Sequence, residues 1–381
     1  GNAFPELTVW EQDESARELS SPWIDSSWNA ARVKVFLAAL ELHKAFIIAN
    51  ADIMRKNLHA AMDVLSGAVP SHAALPAVQS AWTSLFFVIP VISTTFASVD
   101  RLFAHLGKES LGWLLIDEGG QAVPQAAAGA IWRAKRVVVV GDPLQLEPVV
   151  SIPFTAQQML CHHHKVAEIW LPGKTSVQQL ADRISPWGTF IQGVEGPLWV
   201  GAPLRVHRRC DHLMYTISNQ VAYDGMMVSG TGLRAELSWP ESAWIDVQSN
   251  EAHGHWIPAE GYAVADLLQE LARHGINHQD IFIISPFRAV VKNLWGMFFQ
   301  RFPGIRIGTI HTVQGKEANV VILVLGSDPK KSGARQWAAA KPNLLNVAAS
   351  RAKRRLYIIG NLELWQKQQY FSFAAEILPL R

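Results

Sequence analysis

Apolar residues recur along this chain at two spacings, and the change from one to the other marks out helices and strands. Residues 31–49 (ARVKVFLAALELHKAFIIA) repeat apolar positions at helical spacing, among them Val35, Leu42 and Phe46, and predict a long helix. Residues 53–65 predict a second, closed by Gly67 and Pro70. Residues 86–92 form a strand-like apolar run that ends in Ser93-Thr94-Thr95-Phe96-Ala97-Ser98. Two further runs, 113–116 and 137–140, have the length and apolar content of buried parallel strands, and one crossover helix fits between them. After Pro148 the pattern turns irregular, and 187–198 carries Gly188, Gly193, Gly196 and Pro197, a linker composition. Strand patterns then alternate with helical ones: strands at 244–247, 281–284, 305–308, 320–325 and 356–360, helices at 262–273 and 343–351. This alternation predicts an α/β fold with parallel sheets flanked by helices, in two domains at 1–198 and 199–381.

Composition agrees with two well-buried cores. The chain has 381 residues, of which 49% are hydrophobic and 17% charged. A net charge of +2 gives no global basic signature, so any nucleic-acid track has to be local. Two cysteines, Cys161 and Cys210, cannot form a disulfide framework and point to a reducing compartment. No apolar stretch reaches membrane-spanning length and no signal peptide is visible, so the expectation is a cytoplasmic protein without a membrane partner.

The chemistry concentrates between Leu114 and Pro148. The first of the paired strands runs into Asp117-Glu118 and the second into Gly141-Asp142-Pro143-Leu144-Gln145. Open α/β sheets bind ligands at the carboxyl ends of their strands. An Asp there suits a magnesium ion on a phosphate, and a neighbouring Glu suits activation of water. Other clusters are weaker. Adjacent imidazoles in Cys161-His162-His163-His164 do not converge easily on one tetrahedral metal. Gly173-Lys174-Thr175 lacks the earlier Gly of a phosphate loop, since position 168 is Glu. His207, Cys210 and His212 read as parts of a basic loop.

Taken together, IDEGGQA at 116–122 and GDPLQLEP at 141–148 resemble the second and third motifs of superfamily 1 helicases, in the branch of the nonsense-mediated-decay RNA helicase and its bacterial relatives. Later segments resemble that branch in family order: STTFAS at 93–98, PLRVHRR at 203–209, TIHTVQGKE at 309–317 and NVAASRAKRRL at 346–356. The resemblance implies two RecA-like domains, the first incomplete, and an ATPase that moves along or unwinds nucleic acid. It implies ATP and Mg2+ as cofactors, with Asp117 on the metal and Glu118 on the attacking water. Gln145 would sense the terminal phosphate, and Arg205 and Arg351 would be arginine fingers, each worth about a thousand-fold or more in rate. Asp142, Gly315 and Glu317 would face the nucleotide. Ser93, Thr94, Thr95, Thr309 and His311 would face a single strand of DNA or RNA.

The sequence departs from the family at three places. Position 119 is Gly where Ala is common, a change expected to be tolerated. Position 204 is Leu where an aromatic often stacks on adenine. No G-x-x-x-x-G-K-[ST] pattern occurs, and the family places that loop before the acidic motif. The chain therefore reads as the carboxyl-terminal portion of a monomeric helicase, partnered by an upstream part of the same polypeptide carrying the phosphate loop. On this reading it is weak or inactive in hydrolysis by itself. The alternative is a catalytically silent, helicase-like scaffold that binds nucleic acid or protein.

Overall fold

A computed structural model describes residues 13–20, 25–70, 72–193, 196–232, 234–235, 237–312 and 317–381. By its packing the chain divides into two units. The first holds residues up to Gly141 together with Pro148–Leu180; the second holds Asp142–Glu147 together with Ala181–Arg381.

The first unit contains helices α1 (Glu14–Leu19), α2 (Ser26–Ala49), α3 (Ala51–Ser66), α4 (Leu75–Val88) and α5 (Phe96–Leu102). Strand β1 (Leu111–Ile116), helix α6 (Pro124–Arg133) and strand β2 (Ala134–Val139) follow as one β-α-β unit, then α7 (Phe154–His163). The division between units falls inside α8 (Val177–Ile184). Strands β1 and β2 pair in parallel, as the crossover spacing predicts, with Leu114 opposite Val137 and Ile116 opposite Val139. They are not the buried strands their apolar content suggests. Trp113, Leu115, Val138 and Val140 are exposed, because among the described residues this sheet has two strands and packs on one side, against helices.

Three other expectations are corrected. Residues 86–88 close helix α4, and 89–92 are not a strand. Val78, Ala81, Trp82 and Leu85 are the buried positions, a spacing of three, four and seven that carries the helical period into the apolar run. The stretch after Pro148 is not irregular throughout, since Cys161, His162 and His163 lie in α7. The glycine-rich 187–198 is not a linker. Strands β3 (Gly188–Gly193) and β4 (Gly196–Gly201) form an antiparallel hairpin within the second unit, and Phe190 packs edge-on against Trp199 across it. A boundary at 198 would cut this hairpin.

Strand β5 (Val206–His207), helix α9 (His212–Ala222) and strand β6 (Val228–Ser229) come next, with β5 and β6 paired in parallel. The core of the unit follows: β7 (Ala243–Asp246), α10 (Pro258–Arg273), β8 (Ile281–Ile284), α11 (Arg288–Phe298), β9 (Arg306–Gly308), β10 (Ala318–Val324), α12 (Gly333–Ala338), α13 (Asn343–Arg351), β11 (Ala352–Gly360), α14 (Leu362–Trp365) and α15 (Phe371–Ile377). Five of these strands make one parallel sheet in the order β7-β11-β10-β8-β9. All of β8 is buried, as are Val320–Val324 of β10 and Leu356–Ile359 of β11. Helices on both faces explain why these strands are continuous apolar runs without alternation. Among the described residues no helix is long and apolar enough to cross a membrane.

Candidate nucleotide site

In the first unit, Asp117 and Glu118 stand at the carboxyl end of β1. Asp117 Oδ1 accepts the Glu118 backbone N–H at 2.9 Å, and Glu118 takes the left-handed conformation at φ 54°. Glu118 Oε2 accepts from Gln121 Nε2 at 2.8 Å. The backbone then turns tightly through Gly119–Gln121, and Gly119 N donates to Val140 O at 2.9 Å. Gly141 closes on this turn so tightly that a Cβ there would lie 2.7 Å from the backbone nitrogens of Gly119 and Gly120. Gly141 is thus needed for backbone-to-backbone approach between the two strand ends, whereas a Cβ at Gly119 would meet the Val139 side chain. Ser93, Thr94 and Thr95 are exposed just before α5, and Thr95 is its N-cap residue without a side-chain capping bond.

The second unit gathers the remaining groups. Asp142–Glu147 follows β2 in sequence but packs on α9 and α13 of the second unit. Leu144 is buried with Ile191 and Ala222. Asn346 Nδ2 donates to Leu144 O at 3.0 Å, the Asn343 side chain donates to Gln145 O, and Lys341 pairs with Glu147 at 2.5 Å. Arg351 Nη2 donates to Gln145 Oε1 at 3.1 Å, so these two side chains are in direct contact. Asp142 is engaged by neighbours in its own unit. Its Oδ1 accepts from Leu144 N at 2.8 Å, and its Oδ2 accepts from Gln145 Nε2 at 2.9 Å and from the Tyr223 hydroxyl.

A cavity of about 780 Å³ opens beside this cluster, lined by Asp142, Gln145 and the cations Arg208, Arg209, Arg234, Lys353 and Arg354. Glu317 reaches into it, bonded to Arg209 Nε at 2.9 Å and to Lys353. The bond from Lys353 holds the Glu317 carboxyl below its ordinary range. His207 also lines the cavity, and burial, with Arg209 and Arg234 nearby, pushes its imidazole pKa down. Its Nε2 accepts the Cys210 N–H at 2.9 Å, a structural use of the ring. Cys210 is buried, its thiol pushed up to about 12 by that burial, with Sγ 3.4 Å from Ser350 O. Arg205 Nε donates to Met226 O at 2.8 Å, and Leu204 is 83% exposed. Thr309 and His311 follow the end of β9, outside the residues lining the cavity. Gly315 lies outside the described residues.

Sequence reading missed Tyr223 and Arg234, and it assigned no site role to Arg209, Asn346 and Lys353, which lie inside the PLRVHRR and NVAASRAKRRL segments. One signal was available for Asn346: it is the polar residue inside the apolar run Leu344–Ala349 of α13, and a buried amide requires partners.

Two family models match, each described as an AAA domain, over residues 77–152 and 202–363, together more than half of the chain. The chain belongs to the superfamily 1 helicases, in the branch that its motifs resemble. It is 23% identical over 282 residues to the "DNA replication ATP-dependent helicase/nuclease DNA2" of Gallus gallus, covering 71% of this chain and 25% of that protein. It is 22% identical to the "Regulator of nonsense transcripts 1 homolog" of Drosophila melanogaster, covering 68% of this chain and 21% of that protein. The chain thus spans a quarter or less of the length of these relatives. Among solved structures, an arterivirus nonstructural protein 10 helicase with DNA aligns at a TM-score of 0.33 and 16% identity, covering 67% of this chain and 41% of that one.

Proposed function

We propose that the chain is part of a nucleic-acid-dependent ATPase of the helicase type. The contact between Gln145 and Arg351 beside a cavity lined by five cations carries this reading. An oligophosphate suits that lining, since guanidinium groups bind phosphate oxygens in bidentate fashion. The carboxylate of Glu317, already clasped by Arg209 and Lys353, occupies the kind of position in which those cations would take a phosphate, and its own oxygens suit a ribose hydroxyl.

In this reading Asp117 would hold Mg2+, which would supply charge neutralisation on the phosphates. Glu118 accepts a proton from the attacking water, and its bond to Gln121 fixes the carboxylate. Arg351 leaves Gln145 to stabilise charge on the phosphoryl group, and Gln145 reports the loss of that partner. Arg205 acts as a second finger, and Gly315 contributes backbone to the nucleotide. Ser93, Thr94, Thr95, Thr309 and His311 meet the sugar-phosphate backbone of a single strand, for which hydroxyl donors suffice. An upstream segment supplies the phosphate loop, the working unit is a monomer, and two unpaired cysteines suit the cytoplasm.

The test measures ATP hydrolysis with and without single-stranded DNA or RNA, on this chain and on a longer polypeptide that includes a phosphate loop, each with Glu118→Gln. Strand-stimulated turnover in the longer form, lost by a hundredfold or so in the Gln variant, is expected. Turnover that survives Glu118→Gln removes the assigned base. A longer form that binds strands but never hydrolyses ATP favours the silent scaffold.

A further inference from the structure

The hydrogen bonds around Gln145 form one continuous chain inside the second unit. The hydroxyl of the half-buried Tyr223 donates to Asp142 Oδ2 and accepts from Asn346 Nδ2 at 3.0 Å. Asp142 Oδ2 also accepts from Gln145 Nε2 at 2.9 Å, which leaves Gln145 Oε1 to accept from Arg351 Nη2 at 3.1 Å. Asn346 is held in turn by Ser218 Oγ, which donates to its Oδ1 at 2.6 Å, and its Nδ2 grips Leu144 O. Asn346 and Arg351 lie on the same helix, α13.

A primary amide has one donating and one accepting end, and nothing in its shape chooses between two orientations. The Asp142 carboxylate only accepts, so it draws Nε2 and turns Oε1 toward the arginine. A flipped amide would set its N–H against a guanidinium that can only donate. The carboxylate itself needs a fixed position, which the Leu144 N–H supplies at Oδ1 and the Tyr223 hydroxyl at Oδ2. Burial raises the Tyr223 pKa well above its ordinary value, so the hydroxyl stays a donor at any physiological pH.

We propose that Tyr223 and Asn346 are positioning residues that lock Asp142–Glu147 onto the second unit and, through Asp142, fix the Gln145 amide with its oxygen toward Arg351. The consequence rests on the ATPase reading above: the pair is set in advance to tell a nucleoside triphosphate from a diphosphate, because only a terminal phosphate competes with Gln145 for Arg351.

Two measurements test the proposal on the full chain. Hydrogen exchange followed by mass spectrometry reads the peptide spanning 142–147 in wild type, Tyr223→Phe and Asn346→Leu. Loss of one buried hydrogen bond to a carboxylate speeds local opening about ten- to a hundredfold, confined to this segment and α13. Unchanged exchange in Tyr223→Phe overturns the lock. Tyr223→Phe removes a single oxygen and keeps the ring packing, which covers the case in which Asn346→Leu fails to fold.

The second measurement compares affinities for a fluorescent non-hydrolysable ATP analogue and for fluorescent ADP, with affinity for a labelled oligo-dT strand as control. The expected result for Tyr223→Phe is a triphosphate preference reduced toward that of Arg351→Ala, with strand affinity unchanged. Faster exchange with an intact triphosphate preference overturns the positioning role. A wild-type chain that binds neither nucleotide nor strand overturns the ATPase reading instead, and the exchange result still decides the lock.

Discussion

Gly119→Ala isolates one contact on which sequence comparison and packing disagree. The family commonly carries Ala here, so the substitution looks like a return to the norm. In this chain an added Cβ would lie 2.5 Å from Val139 Cγ1, where two carbons prefer 3.5–4.0 Å. About 1 Å of movement is required. Val139 is β-branched and stiff at χ1, so its rotamer gives little room. The turn at 119–121 is tied to the neighbouring strand end by the bond from Gly119 N to Val140 O at 2.9 Å. Gly141 also sits on the Gly119 and Gly120 nitrogens, so the turn cannot back away toward it.

Overpacking of this kind costs about 1–3 kcal/mol. Replacing glycine narrows the unfolded ensemble and returns roughly 0.4–1 kcal/mol. The net expectation is about 1–2 kcal/mol of destabilisation, localised to the turn that carries Glu118. A chain of two units does not melt in one step, so a single melting temperature is a poor readout. Hydrogen exchange of peptides covering β1 and β2 reads the first unit directly, and it should quicken roughly five- to thirtyfold. Val139→Ala removes the opposing methyl, so the double variant should be more stable than the sum of the two single effects. Unchanged exchange in Gly119→Ala, or strict additivity in the double variant, would refute the steric argument.

Two further outcomes are expected. Arg351→Ala should abolish the preference for a triphosphate over a diphosphate while leaving oligo-dT affinity within about twofold, as read by fluorescence titration; an equal loss for both nucleotides would make Arg351 a general anion site. Glu260 is fully buried, accepts Gly326 N at 2.8 Å, and has its pKa raised by burial to about 8 from 4.5. The folded form therefore binds this proton more tightly than the unfolded form. The stabilisation is complete below pH 4.5 and is lost as pH rises through 8, at up to ~1.4 kcal/mol per pH unit. Urea unfolding of the second unit at pH 5, 7 and 9 should show that slope, and Glu260→Gln should flatten it; an unchanged slope in the variant assigns the effect to another group.

Much of this protein was legible in its amino-acid sequence. The strands at 281–284, 320–325 and 356–360 were plain because a strand covered on both faces must be apolar at every position. Helix 343–351 was placed to the residue, and the parallel pairing of β1 with β2 followed from a crossover too long for a hairpin. The motif residues were legible as well, because two acidic groups after one apolar run and a glycine turn after the next are a local pattern.

What the sequence could not decide is where each segment buries its surface. Apolar content made β1 and β2 look covered, yet burial depends on what lies across the sheet, and a two-stranded sheet packed on one side leaves Trp113 and Leu115 exposed. The run at 86–88 could be strand or helix until the positions it shares with Trp82 and Leu85 were known to be buried. Asp142–Glu147 follows β2 directly but belongs with α13, because its bonding partners are some 80 to 200 positions away. A hydrogen-bond relay through Tyr223, Asp142, Gln145 and Arg351 has no linear signature, since three segments distant along the chain must meet before any of its bonds exist. Local propensity and periodicity set the elements, whereas the partners of each buried polar group were chosen by the tertiary fold.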